Sequence, residues 1–236
     1  MTDRGEAPPA ASGIVLAGGR SSRFGSDKLA APLADGRTLL DAAVAGVGAI
    51  ATDVVVVLAP GDERTMAGVG EVGTAVRIAR DAERFGGPLV GLLAGLEVVD
   101  EPLALVAGGD MPRLRVDVLA LMVRTLATAD AAFGAVVLER RGRLEPLPAA
   151  LRVGLATAVA RGLVADGERS LRSLFERLPT RAIDEAVWRP LDPNGATLLD
   201  VDEAADLERQ PGVEVGDRRF DGKRRTRPPE DGRVRG

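Results

Sequence analysis

The sequence predicts one α/β domain of three layers, with helices on both faces of a mostly parallel, Rossmann-like sheet. Three observations carry this prediction. Short apolar runs such as GIVLA, VVVVL and LALVA alternate with longer stretches in which apolar residues recur at spacings of three and four. The runs lack the polar alternation of a half-exposed strand, so they read as strands buried on both faces, the condition of a parallel sheet. Two of them empty into glycine pairs, Gly18-Gly19 and Gly108-Gly109, at the strand ends where open α/β sheets hold their ligands.

In chain order, Gly13–Ala17 is the first buried strand. Thr38–Ile50 follows as a helix, with Leu39, Leu40, Ala43, Val44 and Val47 on one face and Thr38 and Asp41 at its start. Val54–Leu58 and Ala75–Ala79 are the next strands, and after Gly87-Pro88 the stretch Leu89–Val99 is helical, with Pro88 in the first turn. Leu103–Ala107 is a strand and Val116–Leu126 a helix. Two strands at Ala132–Leu138 and Leu147–Leu151 flank the charged turn Glu139–Arg143. Helices at Val153–Leu163 and Ser170–Leu178 lead to a last strand at Ala196–Leu199 and a short helix from Asp202. Residues 1–11 read as a flexible leader, 12–215 as the domain, and 216–236 as a disordered tail in which eight basic residues face four acids without apolar periodicity.

Composition narrows the chemistry. With 236 residues, 45% of them hydrophobic and 28% charged, the chain is long and apolar enough for a proper core. It contains no Cys and no His. That removes thiol nucleophiles, Ser-His-Asp triads, zinc held by His or Cys, and iron–sulfur clusters. A metal here is held by oxygen, which favours Mg²⁺, Mn²⁺ or Ca²⁺ and, with them, phosphate chemistry. A net charge of −4 argues against a nucleic-acid-binding body. No apolar run approaches the roughly 20 residues of a membrane helix, and the expected location is the cytoplasm.

The strongest chemical signal is LAGGRSSRFGSDK, Leu16 to Lys28, directly after the first strand. Paired glycines let backbone N–H groups close around an anion, and Arg20, Ser21, Ser22, Arg23 and Lys28 add cations and hydroxyls suited to phosphate oxygens. The loop is not a P-loop, because Ser26 follows Gly25 where that motif needs Lys. The chain has only two lysines, Lys28 and Lys223, and the one outside the tail falls in this loop. A second signal is the run from Leu103 to Pro112, which delivers Asp110 at a strand's carboxyl end, where a carboxylate can hold a divalent ion or cap the next helix. A third is Thr197-Leu-Leu-Asp-Val-Asp-Glu. Read as extended, it points Asp200 and Asp202 to one side as half of a metal site, with helix capping as the rival role.

Together these segments resemble the molybdenum cofactor guanylyltransferase family, within the wider group of nucleotidyltransferases with a Rossmann-like sheet. The likeness spans about Gly13 to Leu207: LAGGRSSRFGSDK is similar to the group's signature loop, GGPLVGLLAGLE (Gly86–Glu97) to its Gly-Pro-Leu helix start, and GGDMP to its metal-binding Asp motif. The resemblance implies Mg²⁺-dependent transfer of GMP from GTP to the phosphate of molybdopterin, with release of pyrophosphate. It assigns Leu16, Ala17, Gly18 and Gly19 to nucleotide contact, Lys28 to the phosphates, Asp81 to the guanine edge and Asp110 to the metal; the residues themselves add Arg23, which with Lys28 would stabilise the developing charge, and Asp200 as a second metal carboxylate. A molybdoenzyme or a cofactor-insertion protein is the implied recipient. Asp200-Val-Asp202 stands where many guanylyl members carry an Asn-x-Asn pair, and the Asp form also suits the cytidylyl branch. The alternatives are therefore a cytidylyltransferase acting on molybdopterin or another phosphorylated small molecule, and a non-catalytic nucleotide- or cofactor-binding protein.

Overall fold

The computed structural model describes residues 8–18, 27–64, 74–81 and 86–201. Seven strands among them form one sheet: β1 (Ser12–Leu16), β2 (Asp53–Leu58), β3 (Ala75–Arg80), β4 (Leu103–Gly108), β5 (Ala135–Arg140), β6 (Arg143–Arg152) and β7 (Thr180–Ile183). Their spatial order is β3-β2-β1-β4-β6-β5-β7. Pairings from β3 to β4 are parallel, as is β5 with β7, and β6 is antiparallel to both its neighbours. The helices are α1 (Leu39–Gly48), α2 (Pro88–Leu96), α3 (Val116–Thr128), α4 (Val153–Ala165), α5 (Leu171–Arg177) and α6 (Glu185–Trp188).

The central strands β1, β2 and β4 are largely apolar because the sheet is covered on both faces there. Val15, Val54, Val56, Leu105 and Ala107 face a core shared with Leu40, Val44 and Val47 of α1 and with Leu119, Met122 and Leu126 of α3. Their neighbours Ile14, Val55, Val57, Ala104 and Val106 face the opposite core, with Leu89, Leu92 and Leu96 of α2 and Ala156, Ala160 and Leu163 of α4. Period-two alternation thus sorts one uninterrupted apolar run between two layers. At the head of α1 the Thr38 hydroxyl accepts the Asp41 N–H at 3.1 Å and the Asp41 carboxylate accepts the Thr38 N–H at 3.1 Å, a reciprocal cap that fixes where the helix starts.

Beyond β4 the structure departs from the expectations in several places. The strand expected from Ala132 begins at Ala135, because the Asp130 carboxylate accepts the Ala132 N–H at 2.8 Å and holds that segment in a turn. The hairpin closes on Arg141 and Gly142, both at positive φ (52° and 73°), as a tight two-residue connection requires. β6 reaches back to Arg143, and between Val137↔Ala149 and Leu138↔Glu145 the register skips, leaving Pro146, Leu147 and Pro148 bulged from the ladder; the two prolines have no N–H to give it. β7 is an unexpected edge strand paired parallel with β5. Ala196–Leu199, expected as a strand, is instead a 3₁₀ turn over Ala196–Leu198. The strand expected to lead into Asp200 is therefore a turn up to Leu198, and the backbone becomes extended only at Leu199. Asp202 and the helix expected there, Gly19, Arg23, residues 1–7 of the leader and the basic tail lie outside the described residues.

Candidate active site

Four parallel strands end side by side, and the loops leaving three of those ends build the site. After β1 the chain runs through Ala17 and Gly18, the Ala17 N–H donating to Val57 O at 2.8 Å. After β3 it reaches Asp81, whose N–H donates to Leu58 O at 2.9 Å. After β4 the Gly109 N–H donates to Leu16 O at 2.9 Å, and the next residue is Asp110. These bonds extend the ladder one residue past each strand, so the three loops leave the sheet in fixed register.

Leu16, Gly18, Asp81, Gly108 and Asp110 line one cavity of about 410 Å³, a size that suits a small-molecule ligand. The N-terminal turn of α2 closes its floor with Gly87, Pro88 and Gly91, and Leu147 of the β6 bulge forms a side wall. Gly87 has φ +86°, and a Cβ there would sit 2.9 Å from the backbone oxygen of Arg169, so only glycine lets α2 start at this point. The Asp81 carboxylate lies over Gly91, 3.8 Å from the position a Cβ would take. Asp81 follows β3 and Asp110 follows β4, three strand spacings or roughly 14 Å apart. A nucleotide laid across the strand ends would put its base at one acid and its phosphates at the other.

Lys28 opens a 3₁₀ turn, Lys28–Ala30, capped by Asp27, whose carboxylate accepts the Leu29 N–H at 3.1 Å. The Arg64 guanidinium pairs with both Asp27 and Asp62 at 3.0 Å, tying this turn to the loop after β2. From here the Lys28 ammonium reaches Asp110 at 2.9 Å, with side-chain exposures of 13% and 33%. Asp110 Oδ1 lies 2.6 Å from where a Gly108 Cβ would be, so glycine at 108 makes room for the carboxylate. A cation and a carboxylate, paired and open to one side, can receive polyphosphate and a divalent ion respectively. Among the described residues no group of three or more acidic side chains could hold a metal by itself. The donor set is thus hard oxygen and sparse, which fits Mg²⁺, an ion that takes one or two carboxylates and completes its shell with water and phosphate.

Asp200 is exposed, and the next residue, Val201, donates its N–H to Asp110 O at 3.0 Å. The segment expected to join Asp110 therefore reaches it, by a different backbone path. A second groove of about 860 Å³ lies past the same bulge, between Arg143, Leu144 and Pro146 of β6 and Arg172, Phe175 and Glu176 of α5. Sequence reading picked out Leu16, Gly18, Lys28, Asp81 and Asp110 but missed Leu147 and the Lys28–Asp110 pairing. The two residues of that pair are 82 positions apart, and only the β1–β4 pairing brings them together.

Comparison with known proteins identifies the family. The family model of the MobA-like NTP transferase domain matches residues 13–182. A probable molybdenum cofactor guanylyltransferase of Chloroflexus aggregans is 33% identical over 199 residues, spanning 84% of this chain and 91% of the relative. A molybdenum cofactor guanylyltransferase of Rhodopseudomonas palustris is 36% identical over 207 residues, spanning 85% and 93%. The solved structure of molybdopterin-guanine dinucleotide biosynthesis protein A from Archaeoglobus fulgidus shares the fold with a TM-score of 0.66 at 21% identity, over 83% of this chain and 94% of that one. No described helix is long and apolar enough to cross a membrane. Similarity this extensive, over a sheet whose strand ends form a cavity of this kind, makes the chain a nucleotidyltransferase of the molybdenum cofactor guanylyltransferase family.

Proposed function

We propose that the protein transfers GMP from GTP to the terminal phosphate of molybdopterin in the cytoplasm, releasing pyrophosphate and passing its product to a molybdoenzyme or an insertion protein. The observation that carries this reading is the convergence of Gly18, Asp81 and Asp110 on one cavity at the strand ends, with Lys28 paired to Asp110. Asp81 can accept two hydrogen bonds from guanine, one from N1–H and one from the exocyclic amine, whereas cytosine offers no such pair of donors. The Gly18 turn leaves room for backbone contact with the nucleotide, and Lys28 meets the phosphates.

A phosphate oxygen of the acceptor attacks the α-phosphorus of GTP, the bond from that phosphorus to the α–β bridging oxygen breaks, and pyrophosphate carries the electron pair away. No covalent intermediate on the enzyme is needed. Asp110, with Asp200 beside it, would hold Mg²⁺, which when bound supplies charge neutralisation on the phosphates. The 3₁₀ turn fixes the backbone of Lys28, and the ammonium, paired with Asp110 in the free protein, is placed to turn to the phosphates. The groove of Arg143, Arg172 and Phe175 offers cations and an aromatic face to an anionic, ring-bearing acceptor.

Thermal denaturation with GTP, CTP, ATP or UTP, each with Mg²⁺, tests the nucleotide, because a ligand bound only by the folded state raises apparent stability. A shift selective for GTP is expected. A shift selective for CTP would move the chain to cytidylyl transfer, and no shift from any nucleotide would leave the non-catalytic alternative standing.

A further inference from the structure

After β7 the chain crosses back over the carboxyl end of the sheet and grips the loop that carries Asp110. α6 seats Trp188, fully buried, whose indole N–H donates to Glu139 O at 2.9 Å. Four residues on is Asp192, a carboxylate only 2% exposed. Burying a carboxylate is costly unless its oxygens are hydrogen-bonded, and both are: Oδ1 accepts the Ala196 N–H at 3.0 Å and Oδ2 the Thr197 N–H at 2.8 Å. Those two amides open the 3₁₀ turn Ala196–Leu198. Thr197, itself fully buried, accepts the Arg115 N–H through its hydroxyl at 3.1 Å, and Val201 donates to Asp110 O at 3.0 Å. The loop from Asp110 to Arg115 is thereby held at both ends by one turn, and that turn is organised by one buried acid.

Resting on the reading that Asp110 acts at the phosphates, we infer that Asp192 is a positioning residue for nucleotidyl transfer. Its carboxylate sets the turn that fixes the Asp110 backbone and brings Asp200 alongside it. Two adjacent N–H donors need two acceptor oxygens. Only a carboxylate presents both, since the amide of Asn would turn an N–H₂ toward one of the donors. Asp81 stands three strands away and takes no part, so the effect of Asp192 falls on chemistry and metal use and leaves base choice untouched.

The test uses the full chain with Asp192→Asn, the near-isosteric Thr197→Val, and Asp110→Asn as reference. Hydrogen exchange at the Val201 amide, kcat, KM for GTP, and calorimetric Mg²⁺ binding in the presence of GTP are measured below the melting transition of each variant. In Asp192→Asn, exchange at Val201 accelerates, and kcat or Mg²⁺ affinity falls about tenfold or more, as for other groups that orient a metal ligand. KM for GTP and the preference for GTP over CTP stay within about twofold, against that tenfold loss. Thr197→Val moves the same quantities the same way by less, and it carries the test if Asp192→Asn does not fold. Faster exchange with wild-type kcat and Mg²⁺ affinity would make the turn purely structural and sink the inference, as would unchanged exchange at Val201. Full turnover by Asp110→Asn sinks the underlying reading of the site. Loss in Asp110→Asn with normal kcat and Mg²⁺ affinity in Asp192→Asn sinks this inference alone.

Discussion

The two halves of the sheet are held in different ways. From β3 to β4 every neighbouring pair is parallel, and β2 and β4 are apolar runs buried almost end to end. Beyond β4 the sheet turns antiparallel through β6, carries a bulge of three residues, and ends on a four-residue strand. That second half leans on single side chains reaching distant backbone: the Trp188 indole on Glu139 O, the Asp192 carboxylate on two amides, and the Arg152 guanidinium on the carbonyls of Leu126, Ala129 and Phe133. The first half derives its geometry from packing and opens its strand ends onto the cavity. The second derives its geometry from a few anchors and supplies the groove past the bulge and the turn that grips Asp110.

If this contrast is right, the antiparallel half fails at single points. Trp188→Ala removes the largest fully buried side chain and leaves Glu139 O without its donor. A loss of about 3–5 kcal/mol in chemical denaturation is expected, and a loss under about 1 kcal/mol, far below that range, would break the comparison. Recognition is proposed for the other half. Asp81→Ala removes a charged acceptor worth about 1.5–3 kcal/mol, so the GTP preference in competition with ATP should drop roughly tenfold to a hundredfold, with melting temperature nearly unchanged.

The parallel half is tight where helix meets sheet. A Cβ added at Gly95 of α2 would lie 2.8 Å from Ile14 Cγ2 and 3.1 Å from Val57 Cγ2. Gly95→Ala should therefore cost about 1–3 kcal/mol by overpacking, measured by the same denaturation, and a neutral result would show that α2 can slide. The smallest effect is electrostatic. The Arg141 N–H, donating at 3.0 Å, and then the Arg189 guanidinium hold the Glu185 carboxyl below its ordinary value of 4.5. A depressed carboxyl contributes stability that is present above its unfolded value and lost as pH falls through the folded one. The difference between the native chain and Glu185→Gln should be full at pH 7 and vanish under acid, and a difference independent of pH would assign the contribution to something other than ionisation.

The legibility of the sequence follows the same division. Val54–Leu58 and Leu103–Ala107 announce themselves because both faces of a buried strand must be apolar. Asp110 is visible because it follows such a strand, whereas Asp81 follows the largely exposed edge strand β3 and is singled out only by the family resemblance, as the acid ahead of the Gly-Pro-Leu segment. β7 escaped notice because at the sheet's edge Thr180 is half-buried and Arg181 and Ala182 are exposed, so burial left no apolar pattern to read. Ala196–Leu199 was misleading for the opposite reason. It is apolar and buried along most of its length, but its conformation is set by a carboxylate four and five residues upstream of the amides it captures, an arrangement that no local pattern records.

Asp81 and Asp110 also lie on opposite sides of β1, each at the end of its own strand. On the proposed roles of the two acids, the choice of base and the handling of phosphate are separately editable. A change confined to the loop after β3 can alter which nucleotide is accepted while Lys28, Asp110 and the turn behind them stay as they are. On that reading, a lineage or a protein engineer can vary the donor on this scaffold while leaving its phosphate side intact.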